Sequence, residues 1–225
     1  MKALARVVAI DGAVPTAVTS AVRAQIIASM SRDDGTFWYA LDAPPRRAFE
    51  QVIQHLRRFV PRGNEMVGAE WWFRATATDM ELPFHFDRDE GIRHSIVSPD
   101  VASILYLSGA GGPTVIVDAT PSRRAAPTAA LAAEPRPGRF VMFPGTLLHG
   151  VVPGPPSRWP RVTLLVNWWK SVPRLERAPL LPETRLASDR WGVDTKRTAL
   201  TAFDPSRLRA PAAWREIIAK QATYK

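Results

Sequence analysis

The spacing of apolar residues predicts two helices within the first 65 residues of the chain. After Pro15, apolar side chains recur at every fourth position and give one apolar face to a helix that ends near Asp33: Val18, Val22, Ile26 and Met30. A second helix follows Pro44 and Pro45 and stops before Pro61, and its apolar side is formed by Phe49, Val52, Ile53, Leu56 and Val60. Residues 3–10 could form a short strand ahead of both helices.

Between residues 66 and 170 the apolar residues change to a period of two, which is typical of β-strands. Trp71 and Phe73 alternate with Trp72 and Arg74, and glycine and proline turns separate the apolar runs that follow. The predicted later strands cover residues 101–108, 114–118, 139–143, 149–152 and 161–169. Residues 121–137 are rich in proline, arginine and alanine, so we interpret them as a surface loop. The pattern predicts a mainly β protein with flanking helices, built as a small barrel or sandwich.

These patterns divide the chain into three parts. Residues 1–65 form a helical support, residues 66–170 form the β core, and residues 171–225 form an extension that packs on the core or makes a dimer contact. One helix is predicted in the extension, with Trp214, Ile217 and Ile218 on one side. We expect a monomer or a homodimer.

Composition narrows the possible chemistry. A chain of 225 residues with 46% hydrophobic and 23% charged residues has the ordinary balance of one globular domain. The absence of cysteine excludes disulfide scaffolds, thiolate zinc sites, iron–sulfur clusters and cysteine nucleophiles. Histidine chemistry must come from four residues: His55, His85, His94 and His149.

The net charge of +9 favours anionic partners such as carboxylates, phosphorylated small molecules or nucleic acid, unless the arginines only solvate the surface. No apolar run approaches the roughly 18 residues that cross a bilayer. The first residues do not have the pattern of a secretory signal. We therefore expect a cytoplasmic protein with no membrane partner.

Three side chains indicate a metal site. His85 and Asp87 are two positions apart in an extended segment, so their side chains point the same way. His149 lies on a different predicted strand. Two imidazoles and one carboxylate suit a non-haem Fe(II) that must also hold a co-substrate and dioxygen, whereas a structural zinc normally has a fourth protein ligand. His94, in the loop after the dyad, is the alternative second imidazole, but the spacing favours His149.

Arg161 and Thr163 begin the last predicted strand, and their side chains share one face. An arginine that projects into a barrel needs an anionic partner, because an unpaired buried charge is costly. A guanidinium group matches a carboxylate with two parallel hydrogen bonds. The pair therefore favours a site for a carboxylate, although a solvated arginine at the end of a strand is the alternative.

The order and spacing of these motifs resemble the Fe(II)/2-oxoglutarate-dependent oxygenase superfamily, especially its prolyl-hydroxylase-like members. The resemblance covers residues 70–170, and its pieces are His85-Phe86-Asp87, residues 104–107, 111–114 and 138–144, Leu148-His149-Gly150 and Arg161-Val162-Thr163. In that superfamily the fold is a double-stranded β-helix, a jelly-roll barrel of the cupin kind. The gap between His149 and Arg161 is slightly longer than the commonest spacing in the family.

The resemblance implies an enzyme and its cofactors. The implied catalytic residues and Fe(II) ligands are His85, Asp87 and His149, and the implied contacts to 2-oxoglutarate are Arg161, Thr163 and Tyr106. Such an enzyme uses dioxygen to convert 2-oxoglutarate to succinate and carbon dioxide while it oxidises an unactivated C–H bond of its substrate. Because Asp87 is present, we expect hydroxylation or a related oxidation rather than the halogenation of relatives that lack this carboxylate.

Four further residues could contact the substrate: Arg74, Arg93, His94 and Asn167. Arg93 and His94 lie in the loop after the dyad, and Asn167 shares the face of Arg161. Arg74 lies on the strand that leads into the dyad, where either alternate set of side chains could face inward.

The expected substrate is a small molecule or a residue bound to a peptide or carrier, and it could be anionic. Oxidative demethylation of nucleic acid is an alternative raised by the net charge. We do not expect a nucleic-acid partner, because the chain shows no clear second arginine motif. The remaining alternative is a non-catalytic, cupin-like metal-binding module, which would have no use for Arg161 and Thr163.

Overall fold

The computed structural model describes residues 4–29, 35–122, 127–174, 184–188 and 191–208. Within these ranges the two α-helices are α1 (Thr16–Ser29) and α2 (Ala48–Leu56). The strands described, in chain order, are β1 (Val8–Asp11), β2 (Phe37–Ala40), β3 (Gly68–Thr76), β4 (Leu82–His85), β5 (Val101–Tyr106), β6 (Thr114–Val117), β7 (Ala130–Ala133), β8 (Phe140–Pro144), β9 (His149–Val151), β10 (Arg161–Trp169), β11 (Lys196–Thr198) and β12 (Thr201–Phe203).

The strands form two antiparallel sheets. Over the described ranges, seven strands make one sheet in the order β11-β1-β8-β5-β10-β3-β2, and five make the other in the order β12-β7-β6-β9-β4. From β3 to β10 the chain passes repeatedly between the two sheets, as it does in a jelly roll. The prediction of a mainly β protein with flanking helices is confirmed.

The main core lies between the helices and the outer face of the seven-stranded sheet. β10 lies between β3 and β5, and alternate residues of β10 enter this core: Val162, Leu164, Val166 and Trp168. Trp71 of β3 stacks on Phe37 of β2 and on Phe49 of α2, with ring centroids 4.5 and 5.0 Å apart. Burying one such large apolar side chain contributes about 1.5–3 kcal/mol, so the helices hold this face of the sheet firmly.

Several strands were not expected from the sequence, among them β2, β7, β11 and β12. β2 is a short aromatic segment that pairs with β3. β7 lies inside residues 121–137, where the prediction of a surface loop is wrong for Ala130–Ala133. Alanine is a poor strand former, but β7 pairs with both β6 and β12, and this tertiary pairing overrides the local preference.

The predicted three-part division of the chain stays a prediction. β1 and β2, from residues 1–65, are strands of the larger sheet, and β11 and β12, from residues 171–225, pair with β1 and β7. The helix predicted around Trp214 lies outside the described residues, as does the predicted end of the first helix near Asp33.

Neither of the helices within the described ranges combines the length and the apolar character that crossing a membrane requires.

Asp11, the last residue of β1, joins three separate segments. Its Oδ1 accepts a hydrogen bond of 2.6 Å from Arg139 Nε, and its Oδ2 accepts one of 3.0 Å from Arg139 Nη2. The Oδ2 atom also accepts from Arg136 Nη1 at 3.0 Å and from Thr198 Oγ1 at 2.8 Å. The hydrogen bond from Arg139 is the largest of the effects that hold the pKa of Asp11 far below its usual value, although partial burial opposes them.

The substitution Asp11→Asn is expected to lower the free energy of unfolding by about 1–3 kcal/mol at neutral pH, because it removes a charge from these hydrogen bonds. The pKa of Asp11 is lower in the folded chain than its unfolded value of about 4. The wild-type advantage is therefore complete above about pH 5 and shrinks as the pH falls below about 4. Urea unfolding at several pH values measures the difference, with the exposed Asp79→Asn as the control. Equal stability of Asp11→Asn and wild type at neutral pH contradicts this account.

Candidate functional site

Two short strands of the smaller sheet bring three metal-ligating side chains together. His85 of β4 pairs directly with His149 of β9, and their ring centroids lie 4.5 Å apart. Asp87 follows β4, with Oδ1 3.5 Å from His85 Nε2 and Oδ2 3.6 Å from His149 Nε2. One ligand atom from each residue lies within 4.8 Å of the other two. His149, and not His94, therefore lies beside His85 and Asp87, and the three side chains are close enough for one metal ion to contact them all.

Backbone carbonyl groups orient both imidazoles. His85 Nδ1 lies 2.8 Å from the carbonyl oxygen of Pro83, and His149 Nδ1 lies 3.0 Å from that of Leu147. A carbonyl oxygen only accepts hydrogen bonds, so Nδ1 carries the proton in each neutral ring and Nε2 keeps its lone pair. Both Nε2 atoms face Asp87. A metal ion shared by the three side chains needs this orientation of the rings and a lone pair on each Nε2.

The charges within the cluster also suit a metal ion. Burial lowers the pKa of His149 although the charge of Asp87 opposes this. Burial alone would raise the pKa of Asp87, but its histidine neighbours and a hydrogen bond from Asn167 lower that pKa overall. Burial alone would also lower the pKa of His85. The interaction of His85 with Asp87 and the negative charge of Asp87 outweigh burial, so the pKa of His85 is raised overall. A neutral His149 beside an ionised Asp87 matches the protonation states that metal binding requires.

A cavity of about 240 Å³ opens onto the three ligands and lies between the two sheets. Its long wall is the inner face of the β3–β10 pair, where Thr163 faces Arg74, Leu165 faces Trp72 and Asn167 faces Glu70. Seven of the residues predicted for the site line this one cavity: His85, Asp87, His149, Arg161, Thr163, Asn167 and Arg74.

Arg161 lies deep in the cavity wall and is only 3% exposed. Its Nε donates to the carbonyl oxygen of Gly112 at 3.3 Å, and its Nη2 donates to Thr114 Oγ1 at 2.9 Å. Within the described residues no carboxylate forms an ion pair with this guanidinium group. Burial lowers the pKa of Arg161, and the neighbouring Tyr106 opposes this effect only in part.

Thr163 lies two residues farther along the same strand face and is fully buried. Its Oγ1 has no hydrogen-bond partner among the described residues. An orphaned buried hydroxyl is costly, and this one faces the cavity beside Arg161. The wall therefore presents a guanidinium group and a hydroxyl group that are both short of an acceptor.

Tyr106 does not line the cavity and lies behind Arg161. The Arg161 guanidinium carbon is 5.3 Å from the centroid of the Tyr106 ring. The Tyr106 hydroxyl oxygen is 2.8 Å from Thr114 Oγ1 and 2.9 Å from the carbonyl oxygen of Ala133. In this arrangement Tyr106 contacts Arg161 and Thr114, which line the cavity, and fixes their positions.

Arg93 and His94 are exposed and lie outside the cavity lining. The loop that carries them is held through Asp89, whose Oδ2 accepts a hydrogen bond of 2.9 Å from the backbone of Arg174. The structure thus brings Arg74 and Asn167 to the metal ligands and leaves Arg93 and His94 on the surface of the loop.

Glu70 is one of the lining residues that the sequence analysis missed. It is buried, and its Oε2 accepts hydrogen bonds from Trp169 Nε1 at 3.0 Å and from Asn167 Nδ2 at 3.5 Å. Burial raises the pKa of Glu70 to about 7, and the negative charges of Asp87 and Asp89 add to this effect. The signal was present in the sequence, because Glu70 continues the alternate set that contains Trp72 and Arg74.

No family model matches the chain, and no curated protein matches its sequence. Solved structures match its fold. A prolyl-4-hydroxylase from Pseudomonas putida is 18% identical over 76% of this chain and 97% of its own length, with a TM-score of 0.53. SnoK, a non-heme alpha ketoglutarate dependent carbocyclase from nogalamycin biosynthesis, is 11% identical over 75% of this chain and 82% of its own, with a TM-score of 0.50.

The chain shares the fold of the Pseudomonas putida prolyl-4-hydroxylase. A third structure with this fold, EvdO2 from Micromonospora carbonacea var. aurantiaca, is 11% identical over 79% of this chain and 93% of its own, with a TM-score of 0.51. The double-stranded β-helix that the sequence motifs implied is confirmed. The likeness is one of fold, and the chemistry depends on the residues that line the cavity.

The substitution His149→Ala is expected to abolish binding of one Fe(II) ion per chain, because it removes a buried ligand that is already in the metal-binding tautomer. His94→Ala is the matched control and should bind Fe(II) as the wild type does, since His94 is exposed and outside the cavity. Anaerobic calorimetry measures both affinities. Loss of binding in His94→Ala with binding retained in His149→Ala would reverse the assignment of the ligand.

Proposed function

We propose that the protein is an Fe(II)- and 2-oxoglutarate-dependent dioxygenase that hydroxylates a C–H bond of a small molecule or of a residue bound to a peptide or carrier. One observation carries the proposal. Arg161 is buried without a described carboxylate partner, and it shares a cavity with a cluster of two histidines and one carboxylate. A module that only binds a metal has no use for a buried guanidinium group beside it.

The donor set suits Fe(II). His85, Asp87 and His149 would occupy three coordination positions of one ion and leave the others open. A co-substrate and dioxygen need such open positions, whereas a structural zinc ion would take a fourth ligand from the protein. The chain contains no cysteine that could supply one.

The wall around Arg161 suits 2-oxoglutarate. The guanidinium group would pair with the carboxylate that lies farther from the metal, and the orphaned Thr163 Oγ1 would donate a hydrogen bond to the same carboxylate. Tyr106 and Thr114 would hold the guanidinium group in place from behind. These contacts would give the Arg161 guanidinium group and the Thr163 hydroxyl group the hydrogen-bond acceptor that each lacks.

When bound, iron and 2-oxoglutarate would supply the oxidation. 2-Oxoglutarate would lose carbon dioxide and become succinate, with one oxygen atom of dioxygen entering succinate and the other entering the substrate C–H bond. The chain supplies the positioning. Arg161 and Thr163 orient the co-substrate. The apolar side chains of Ile104 and Leu165 line the same cavity and exclude water from its wall. The side chains of β3 face the metal ligands across the cavity and would hold the substrate C–H bond close to them.

The test is an anaerobic titration with Fe(II) and then 2-oxoglutarate, followed by the visible charge-transfer band of a keto acid chelated to Fe(II). We expect the band in the wild type. Arg161→Ala should raise the dissociation constant of 2-oxoglutarate by about 10–100-fold, because a charged hydrogen bond is worth about 1.5–3 kcal/mol. Binding of Fe(II) should stay within about twofold of wild type, since Arg161 is not one of the metal ligands.

The exposed Arg158→Ala is the matched control and should leave both affinities unchanged. Binding of Fe(II) without a band would favour the non-catalytic metal-binding module. An unchanged affinity for 2-oxoglutarate in Arg161→Ala would remove this arginine from the co-substrate site.

Gly111 allows a separate test, because it packs against the Arg161 side chain with a φ of +92°. A Cβ atom at this position would lie 2.7 Å from Arg161 Cδ and 2.8 Å from Arg161 Cβ. Gly111→Ala should therefore displace the guanidinium group and raise the dissociation constant of 2-oxoglutarate about tenfold while Fe(II) still binds. In the control Gly109→Ala, the added Cβ would meet Pro137 at 3.4 Å, an ordinary contact. Equal co-substrate affinity in the two variants contradicts the role of Gly111.

A further inference from the structure

Three side chains of different chemistry follow one another along the cavity face of β3. Glu70 is acidic, Trp72 is aromatic and Arg74 is basic, and all three line the cavity with the metal ligands. They occupy alternate positions of one strand, so they project from the same face. None of them belongs to the His85–Asp87–His149 cluster, and on the same cavity wall Arg74 pairs across the strands with Thr163 and Trp72 pairs with Leu165.

Glu70 lacks a cationic partner. Its two described hydrogen bonds, from Trp169 and Asn167, both end on Oε2, and no described residue forms an ion pair with it. The charges that act on it from the adjacent loop belong to Asp87 and Asp89, which are also acidic. A buried carboxylate with acidic neighbours is stabilised in its charged form when a cation lies against it.

Arg74 lies at the other end of the same row. It is exposed at the cavity, and it has no hydrogen bond or ion pair to any described residue. Four residues along an extended strand place the two Cα atoms roughly 13 Å apart, and Glu70 and Arg74 form no ion pair with each other. The Trp72 indole lies on the same face between these two unpaired charges.

We infer that the substrate is amphoteric, with an amine that binds Glu70 and a carboxylate that binds Arg74, separated by a chain of carbon atoms that lies along Trp72. The inference rests on the proposed function, because it describes the substrate side of the same cavity. Asn167 Nδ2 lies 3.5 Å from Glu70 Oε2, and Glu70 and Arg74 both line the cavity that contains the His85–Asp87–His149 cluster. The carbon atoms between the two charged groups are therefore the ones placed for oxidation.

Calorimetry with three small probes tests the two charges separately. The probes are 6-aminohexanoate, hexylamine and hexanoate, and each is titrated into the protein with and without Fe(II) and 2-oxoglutarate under anaerobic conditions. We expect 6-aminohexanoate to bind at least tenfold more tightly than either singly charged probe. Glu70→Gln should weaken 6-aminohexanoate and hexylamine about tenfold and leave hexanoate unchanged. Arg74→Gln should weaken 6-aminohexanoate and hexanoate and leave hexylamine unchanged.

The matched controls are Glu81→Gln and Arg93→Gln, because both residues are exposed and lie outside the cavity lining. Neither control should change the ranking of the probes. If Glu70 only stabilised the fold, Glu70→Gln would lower the melting temperature and leave the ranking of the three probes as in wild type.

The inference and the proposed function fail in different ways. If the charge-transfer band forms but 6-aminohexanoate binds no better than hexylamine and hexanoate, the amphoteric substrate is wrong and the oxygenase stands. If the band does not form, the oxygenase is wrong, and the titrations without Fe(II) and 2-oxoglutarate still decide whether Glu70 and Arg74 bind opposite ends of one molecule.

Discussion

The pairing of β3 with β10 is the constraint on which the rest of the molecule depends. The two strands run together from Arg161 opposite Thr76 to Trp169 opposite Gly68. Because side chains alternate between the two faces of a strand, this register sends one set into the helix-covered core and the other into the cavity. A shift by one residue would bury Arg161 against the helices and expose Trp168 to the cavity. The apolar core and the chemistry of the site are therefore specified by the same hydrogen-bonded ladder.

The two walls of the cavity divide the charge between them. On the side of the smaller sheet, Asp87 gives the His85–Asp87–His149 cluster its negative charge. On the side of the larger sheet, Arg161 provides a buried positive charge. Neither group is neutralised by direct contact with the other. Both are buried, so the local dielectric constant is low and charges interact more strongly there than in water. A dicarboxylate bound between a metal ion and a guanidinium group would satisfy both walls at once.

The parts of the site that could be predicted from the sequence are those that local spacing or a known motif order reveals. His85 and Asp87 are two residues apart, and Arg161 and Thr163 share one strand face, so their side-chain directions follow from the strand period. His149 could be connected to them through the order of motifs in the oxygenase superfamily. The metal ligands predicted in this way lie in one cluster.

Other features depend on contacts between distant segments, and local patterns do not contain them. Glu70 belongs to the same alternate set as Trp72 and Arg74, but only the pairing of β3 with β10 decides that this set faces the cavity. The alanines of β7 form a strand only because β6 and β12 lie on both sides of them. Tyr106 occupies the expected place in the chain, yet packing puts its ring behind Arg161 instead of in the cavity.

The position of β1 in the larger sheet has a consequence for the order in which the chain folds. β1 lies between β8 and β11, so both of its partner strands come from far along the sequence, with Ala9 opposite Val141 on one side and Thr198 on the other. Contacts of such large sequence separation form late and slowly, because the intervening chain must first be closed into a loop. During synthesis on the ribosome, β1 must wait for most of the polypeptide to emerge before either edge can pair. Until then it exposes unpaired backbone groups, and this period is when the nascent chain is most open to association with other chains.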